Sequence, residues 1–156
     1  MLRAKDIMTK EVITVSPDTT VEELGRLLIE KGISGAPVVA PDGGLFGIVT
    51  ENDLIKQKER FHIPTVVRFF DAFIPVGGSS SVEKEIKRMS ASKVADICAK
   101  EVVTVAPDAS LQDIATVMSE KGVYLLPVIE SGKIVGIIGK RDVIKGSVNE
   151  AAKQEP

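Results

Sequence analysis

Two copies of one segment organise this chain: Asp6-Ile-Met-Thr-Lys-Glu-Val-Ile-Thr-Val-Ser-Pro-Asp18 returns as Asp96-Ile-Cys-Ala-Lys-Glu-Val-Val-Thr-Val-Ala-Pro-Asp108. The likeness continues downstream, where Gly47-Ile-Val-Thr50-Glu-Asn-Asp53 is matched by Gly136-Ile-Ile-Gly139-Lys-Arg-Asp142. A pattern that stays in register over stretches this long is typical of an internal structural repeat. The sequence therefore predicts two equivalent folding units.

The repeated unit is predicted to have the order β-α-β-β-α. Val12–Val15 is a β-branched run typical of a strand, and Thr20-Val-Glu-Glu23 is a capping box that predicts the start of a helix. Gly32 stands where a helix commonly ends in a left-handed residue. A hairpin of two further strands, of which the second is Leu45–Val49, then leads into a closing helix near Glu51.

The domain organisation follows from this pattern. We expect a first unit at residues 4–56, an insert at residues 57–92, a second unit at residues 93–146, and a flexible tail at residues 147–156. Each α+β unit has too little core to stand well alone, so the two are expected to pack their sheets together and share a core. The insert is rich in aromatic residues and is predicted to contain a short helix; its phenylalanines are Phe61, Phe69, Phe70 and Phe73.

The composition is that of a folded protein, with 44% hydrophobic and 27% charged residues and a formal net charge of −2. This balance of charges argues against a nucleic-acid binder, which needs a basic excess. One cysteine excludes an intramolecular disulfide framework, and a single histidine beside it leaves little for a zinc site. No apolar run approaches the ~18 residues of a membrane-spanning helix, and the first residues do not form a signal peptide. We therefore expect a cytoplasmic protein without a membrane partner.

Candidates for catalysis are few. Cys98 stands where the first unit has Met8, an exchange typical of packing, and no nearby histidine is available to lower its pKa. His62, the only histidine, lies in the insert, and a packing or surface role is favoured there over ligand binding. No nucleophile elbow, zinc-protease motif or phosphate-binding P-loop is present. We therefore expect neither an enzyme, nor catalytic residues, nor a metal site.

The exit from the third strand allows two interpretations. The hydroxyl of Thr50 and the carboxylate of Asp53 are spaced to cap the N-terminus of the following helix. The same groups could seat a nucleotide, because a helix N-terminus attracts phosphate and a carboxylate accepts both ribose hydroxyls. The spacing favours capping and leaves the nucleotide interpretation open. Gly47 and Gly136, inside the third strands, are typical of a bulge or of the close approach of a ligand.

As a whole, the doubled unit resembles a tandem cystathionine beta-synthase (CBS) domain pair, also called a Bateman module. The resemblance is carried by the opening Asp6-Ile-Met-Thr9, the turn Gly32-Ile-Ser-Gly-Ala-Pro-Val38 and the ending Gly47-Ile-Val-Thr-Glu-Asn-Asp53. It covers nearly the whole chain apart from the insert and the tail. It implies two units with pseudo-two-fold symmetry that bind adenosine-containing ligands in the clefts between them.

The resemblance also implies two sites, each of which joins the exit of one unit to the first strand and pre-proline turn of the other. One site would use Thr50 and Asp53, with Val102, Val103, Tyr124, Leu125 and Leu126 around the adenine. The other would use Asp142, with Val12, Ile13, Thr14, Ile33, Ser34, Gly35 and Ala36. Lys140 and Arg141 are candidates for phosphate contact, although adjacent basic residues at a helix start are usually simply solvated. Gly139 departs from the family pattern, because it lacks the expected hydroxyl.

These implications predict a regulatory module that senses AMP, ADP, ATP, S-adenosylmethionine or a related adenosyl compound and needs no obligatory cofactor. It would signal to an unknown effector protein in trans through a change of shape. A homodimer is expected, with the phenylalanines of the insert shielding the interface or covering a cleft. The alternative is a non-catalytic assembly module with empty or degenerate clefts, which Gly139 and the apolar insert favour.

Overall fold

The computed structural model describes residues 1–58 and 92–154 of the chain. In the first unit, helices α1 (Ala4–Ile7) and α2 (Val21–Lys31) precede strands β1 (Gly35–Val39) and β2 (Leu45–Thr50), and helix α3 covers residues 51–58. The second unit repeats this order. Its elements are helix α4 (Val94–Ile97), helix α5 (Leu111–Lys121), strands β3 (Leu125–Glu130) and β4 (Lys133–Gly139), and helix α6 (Lys140–Gln154). The predicted α+β fold of two equivalent units is confirmed.

Local sequence signals account for the ends of the long helices. The hydroxyl of Thr20 accepts a hydrogen bond from the Glu23 N–H at 3.1 Å, and the Glu23 carboxylate accepts one from the Thr20 N–H at 3.2 Å. This is the capping box that the sequence predicts. Helices α2 and α5 end at Gly32 and Gly122, whose φ angles of 62° and 65° lie in the left-handed region that glycine adopts without strain.

Each unit contains an antiparallel hairpin that is extended at one edge by the opposite unit. Strand β1 pairs with β2, and β3 pairs with β4. Ala99 of the second unit exchanges two backbone hydrogen bonds of 2.9 Å with Ile48 on β2. In the same way, Thr9 of the first unit exchanges hydrogen bonds of 2.9 and 3.0 Å with Ile137 on β4. The opening segment of each unit therefore belongs structurally to the other one.

The exchanged segments complete two separate cores. In one, Val94 is fully buried against first-unit residues such as Leu24 and Val38. In the other, Ala4 is fully buried against second-unit residues such as Ile114 and Leu126. The expectation of a single core shared between packed sheets was wrong, because each unit buries its own hairpin and long helix and takes from its partner only a short closing segment.

The predicted first strand at Val12–Val15 is also corrected. Only Val15 forms a bridge, a parallel one to Val38, and the equivalent Val105 bridges to Val128. The reason is geometric: Thr9 pairs with a strand of the second unit and Val15 with a strand of the first. The residues between them cross from one sheet to the other and pair with neither, so they have no ladder that would make them a strand.

The end of the chain differs from the predicted flexible tail. Helix α6 continues to Gln154, so most of residues 147–156 is helical. Within this stretch the Ser147 hydroxyl donates to the Val143 carbonyl oxygen at 2.9 Å, and the Leu2 N–H donates to the Glu150 carboxylate at 2.6 Å. The first bond lies within α6, and the second ties its last turns to the start of the chain. The predictions for the insert, including its short helix, His62 and four phenylalanines, lie outside the described residues.

Candidate functional site

A cleft of about 820 Å³ lies between the two units, and we call it the Asp142 cleft. The first unit contributes residues of α2, the pre-proline turn and the start of α3. The second unit contributes the end of β4 and the start of α6. Most of the residues predicted for one of the two sites line this cleft together, namely Ile13, Ile33, Ser34, Gly35, Lys140, Arg141 and Asp142.

The carboxylate of Asp142 is held in place by the chain itself. One of its oxygens, Oδ2, accepts a hydrogen bond from the Gly139 N–H at 2.7 Å. Among the described residues, the other oxygen accepts no hydrogen bond from the protein. The geometry is that of a carboxylate capping the start of α6, and because Asp142 lines the cleft, its second oxygen is free to accept a hydrogen bond from a ligand there.

Asp53 has the equivalent arrangement in the first unit. Its Oδ2 accepts from the Thr50 N–H at 2.9 Å and from the Thr50 hydroxyl at 3.4 Å. The pair therefore forms only half of the predicted capping arrangement: Asp53 accepts from the Thr50 N–H, but the Thr50 hydroxyl donates to Asp53 and caps no helix N–H among the described residues. Thr50 differs from Gly139 in that its hydroxyl adds a second, longer bond to the same oxygen.

Some predicted site residues do not line the Asp142 cleft. Ala36 and Leu126 are fully buried in the two cores, so their side chains are not available to a ligand. Val103 packs against the second core, and Val12, Thr14 and Val102 are not part of the Asp142 cleft lining. Leu125, predicted for the site of Asp53, instead lines the Asp142 cleft.

The side chain of Leu125 also comes close to the first unit. A Cβ atom placed on Gly35 would lie 2.9 Å from Leu125 Cδ2 and 2.5 Å from the Val49 carbonyl oxygen. Any larger residue at position 35 would therefore collide with both units. Gly35 lets the pre-proline turn pass close to Leu125 at the edge of the cleft.

Tyr124 lies at the pre-proline turn of the second unit and is 53% exposed. The ammonium nitrogen of Lys140 lies 5.6 Å from the centroid of its ring, a cation–π contact. From the sequence, these two residues are expected in different sites. The structure brings them together, with Lys140 at the lining of the Asp142 cleft and Tyr124 beside it.

The glycines inside the strands make room for protein rather than for a ligand. A Cβ atom on Gly47 would lie 2.5 Å from the Ala99 carbonyl oxygen, and one on Gly136 would collide with the side chain of Met8. Both positions lie where the opening segment of the opposite unit crosses the hairpin. The ligand interpretation of these glycines is therefore replaced by close packing between units.

Several cleft residues were not predicted from the sequence: Thr9, Glu11, Gly25, Leu28, Ile29, Gly32, Glu51, Leu54, Ile55, Ile137 and Gly139. Gly25 did carry a usable signal, because a glycine in the middle of a helix lowers helix stability and calls for a reason. A Cβ atom at this position would meet no atom within 4 Å, since α2 borders open space there. Glu11 and Glu51 carried no such signal, because exposed acidic residues are common.

The remaining candidates for chemistry are structural. Cys98 packs against the first core, and burial raises the pKa of its thiol, which reduces the nucleophilic thiolate at neutral pH. Within residues 1–58 and 92–154, no group of three or more metal-binding side chains comes together. None of the described helices is long and apolar enough to cross a membrane.

Comparison with known proteins accounts for the repeat. A family profile described as the CBS domain matches residues 4–60 and 94–149. The uncharacterized protein MJ1426 of Methanocaldococcus jannaschii is 29% identical over 154 residues, which cover 92% of this chain and 90% of that protein. Other relatives are longer. The chain spans 47% of protein MJ0188 from the same archaeon, at 29% identity, and 23% of an inosine-5'-monophosphate dehydrogenase from Korarchaeum cryptofilum, at 32% identity.

Solved structures share the whole arrangement. CBSX2 in complex with AMP superposes with a TM-score of 0.73 at 23% identity, covering 97% of this chain and 99% of that one. The CBS domain pair of protein MJ0100, in complex with 5'-methylthioadenosine and S-adenosyl-L-methionine, gives a TM-score of 0.72 at 21% identity, with coverages of 96% and 98%. At these identities the likeness establishes the fold. With both of its units matched by the profile, the chain belongs to the CBS-domain family and forms a pair of CBS domains.

Proposed function

We propose that this CBS pair is a non-catalytic regulatory module that binds an adenosine-containing ligand in the Asp142 cleft. The observation that carries the proposal is the cleft itself, which joins the exit of one unit to the pre-proline turn of the other. It offers apolar walls, a carboxylate with a free oxygen and two cations. The relatives whose structures contain AMP, 5'-methylthioadenosine or S-adenosyl-L-methionine support the ligand class.

Each part of such a ligand has a suitable partner. The side chains of Ile13 and Ile33 offer apolar surface to the adenine ring, and backbone groups of the turn at Ser34 and Gly35 can pair with its polar edge. The free oxygen of Asp142 can accept from ribose hydroxyls, as carboxylates do in other nucleotide sites. Hydrogen bonds of this kind to a charged group contribute about 1.5–3 kcal/mol each.

Replacing Asp142 tests the assignment. Asp142→Ala should abolish binding of AMP, ADP, ATP or S-adenosylmethionine at this cleft, whichever of them the wild-type protein binds in isothermal titration calorimetry. Asp113→Ala is the matched control, because Asp113 also lies in the first turn of a helix but outside the cleft lining. Unchanged affinity and stoichiometry in Asp142→Ala would contradict the assignment.

A thermal-shift series tests the ligand class as a whole. A ligand at about 100 times its dissociation constant should stabilise the folded state by about 2.7 kcal/mol. If none of the four adenosyl compounds raises the melting temperature, the assembly module with degenerate clefts becomes the better description.

The module is expected to act as a homodimer. Ligand binding would change the conformation of this dimer, and an effector protein would recognise the changed conformation. Two apolar side chains lie one turn apart on α6 and face solvent, Ile144 at 61% and Val148 at 63% exposure. Ile55 on α3 holds the position equivalent to Ile144 in the first unit, and it lines the Asp142 cleft. Apolar side chains exposed together mark contact surfaces, so the face of α6 that carries Ile144 and Val148 suits a two-fold contact with a second copy.

The dimer is tested by sedimentation at micromolar concentration. We expect the wild-type chain to sediment as a dimer and the variant Ile144→Glu with Val148→Glu as a monomer, because each charge would be buried against apolar surface. Lys145→Glu on the same helix should leave the dimer intact, since its side chain is exposed and polar. A monomeric wild-type chain would contradict the proposal.

A further inference from the structure

The two cations of the Asp142 cleft are not neutralised by the protein. Among the described residues, the side chains of Lys140 and Arg141 form no ion pair, whereas Arg26 pairs with Glu22 and Lys93 with Asp18 elsewhere on the surface. Both cations lie at the start of α6, directly before Asp142. An anionic group in the cleft would therefore be attracted to these two side chains.

The contact that Lys140 does make is with the ring of Tyr124, at 5.6 Å from its centroid. Tyr124 holds the position in the second unit that Ser34 holds in the first, and Ser34 lines the Asp142 cleft. By the internal symmetry, Tyr124 stands at the pre-proline turn that faces the exit at Asp53. Lys140 thus lines one cleft while its ammonium group contacts the turn associated with the other.

A phosphate group is a stronger partner for this ammonium than an exposed aromatic ring. A cation–π contact at an exposed site is weak, whereas hydrogen bonds between an ammonium and an anionic oxygen are short and strong. The lysine side chain is long and flexible, so it can leave the ring without a change in the backbone. The Lys140 ammonium group therefore stays in contact with the ring until an anion in the cleft competes for it.

We propose that the ammonium group of Lys140 binds the phosphate of the ligand in the Asp142 cleft. To do so it leaves the ring of Tyr124, and the loss of this contact signals ligand binding to the pre-proline turn of the second unit. The inference rests on the proposed function and narrows it to a ligand class. The preferred ligand is a phosphorylated adenosine, not an uncharged adenosyl compound. Lys140 acts as the specificity-determining residue, and Tyr124 is its positioning residue.

Affinity measurements test the first half of the proposal. Lys140→Met should weaken AMP binding about tenfold, the loss expected for one charge-assisted hydrogen bond, and leave adenosine binding unchanged. Lys145→Met is the matched control, because it removes a lysine from the same helix outside the cleft lining and should change neither affinity. Equal loss of AMP and adenosine binding in Lys140→Met, or no loss of either, would overturn the assignment of Lys140.

The loss of the contact between Lys140 and Tyr124 can be measured at a single fluorine atom on the tyrosine ring. Tyr124 is the only tyrosine of the chain, so incorporation of 3-fluorotyrosine gives one fluorine resonance. Saturating AMP should move this resonance in the wild-type protein and not in Lys140→Met, and saturating adenosine should move it much less than AMP. Tyr124→Phe keeps a ring under the ammonium and should keep the wild-type affinity for AMP.

The possible results distinguish the proposed roles of Lys140 and Tyr124 from the proposed binding of an adenosine-containing ligand. A resonance that moves equally with AMP and adenosine would overturn the transfer of Lys140 and indicate that the ring stacks on adenine. A resonance that does not move under saturating AMP would overturn the loss of the contact between Lys140 and Tyr124, while the proposed function stands because AMP binds. If calorimetry detects no binding of any adenosyl compound, the proposed function and this inference fall together.

Discussion

Single glycines show how closely the two units approach each other. Gly47 and Gly136 occupy equivalent strand positions, but their surroundings differ. A Cβ atom on Gly47 would collide with a backbone oxygen, that of Ala99, whereas one on Gly136 would collide with the side chain of Met8. Backbone atoms of a paired strand cannot move aside without breaking the pairing, and a side chain can be shortened by mutation. The same substitution therefore has different consequences at the two positions.

We expect Gly47→Ala and Gly136→Ala each to lower the free energy of unfolding by about 1–3 kcal/mol, the usual cost of overpacking. Adding Met8→Ala should recover stability in Gly136→Ala but not in Gly47→Ala. Urea unfolding followed by circular dichroism measures both effects. Gly25→Ala is the control, because a Cβ atom there meets nothing within 4 Å, and it should be neutral or slightly stabilising. Equal recovery of both variants by Met8→Ala would contradict this account.

Among the elements, the crossing segments have the least regular structure and still contribute to the site. The residues between Thr9 and Val15 connect a bridge on β4 with a bridge on β1, and Ile13, in the middle of this crossing, lines the Asp142 cleft. A segment that was paired along its whole length would use its backbone groups in a ladder. Because this one crosses between two sheets, its residues remain available to form a wall of the cleft.

Helix α6 connects the site with the rest of the molecule. Its first residues line the cleft, its exposed face carries Ile144 and Val148, and its last turns are tied to Leu2 through Glu150. Lys140 and the proposed dimer contact therefore lie on the same helix, which joins the cleft to this part of the outer surface.

At the scale of the whole molecule, the exchanged opening segments make the two units depend on each other. Ala4 is fully buried in the core of the second unit, and the N–H groups of Ala4 and Lys5 donate to the carbonyl oxygens of Ala109 and Pro107 at 2.8 and 2.9 Å. Val94 has the equivalent place in the core of the first unit. Damage to the start of the chain should therefore appear in the second unit, which is distant in sequence.

We expect Ala4→Glu to reduce amide hydrogen-exchange protection mainly in residues 111–139, because it places an unpaired charge in the core of the second unit. Val94→Glu should reduce protection mainly in residues 21–50, by the same mechanism in the first unit. Hydrogen exchange measured by mass spectrometry on both variants tests the exchange of segments. Loss of protection confined to the unit that carries the mutation in sequence would contradict it.

Local patterns in the sequence determined the elements of this protein. The capping box at Thr20, the left-handed ends at Gly32 and Gly122, and the hairpins are all encoded by residues a few positions apart, and comparison of the two halves of the sequence reveals the repeat. Seven of the nineteen residues that line the Asp142 cleft were also predicted for that site, although through the family resemblance and not through spacing. The capping role of Asp53 followed from its distance to Thr50 alone.

The tertiary structure alone decided which segments pair with each other. The exchange of opening segments, the two cores, the contact of Lys140 with Tyr124 and the anchoring of α6 at Glu150 all join residues far apart in sequence. A β-branched run such as Val12–Val15 has the composition of a strand, but a strand exists only where a partner is in register along its length. That partner is chosen by the packing of the whole chain, which composition and periodicity do not encode.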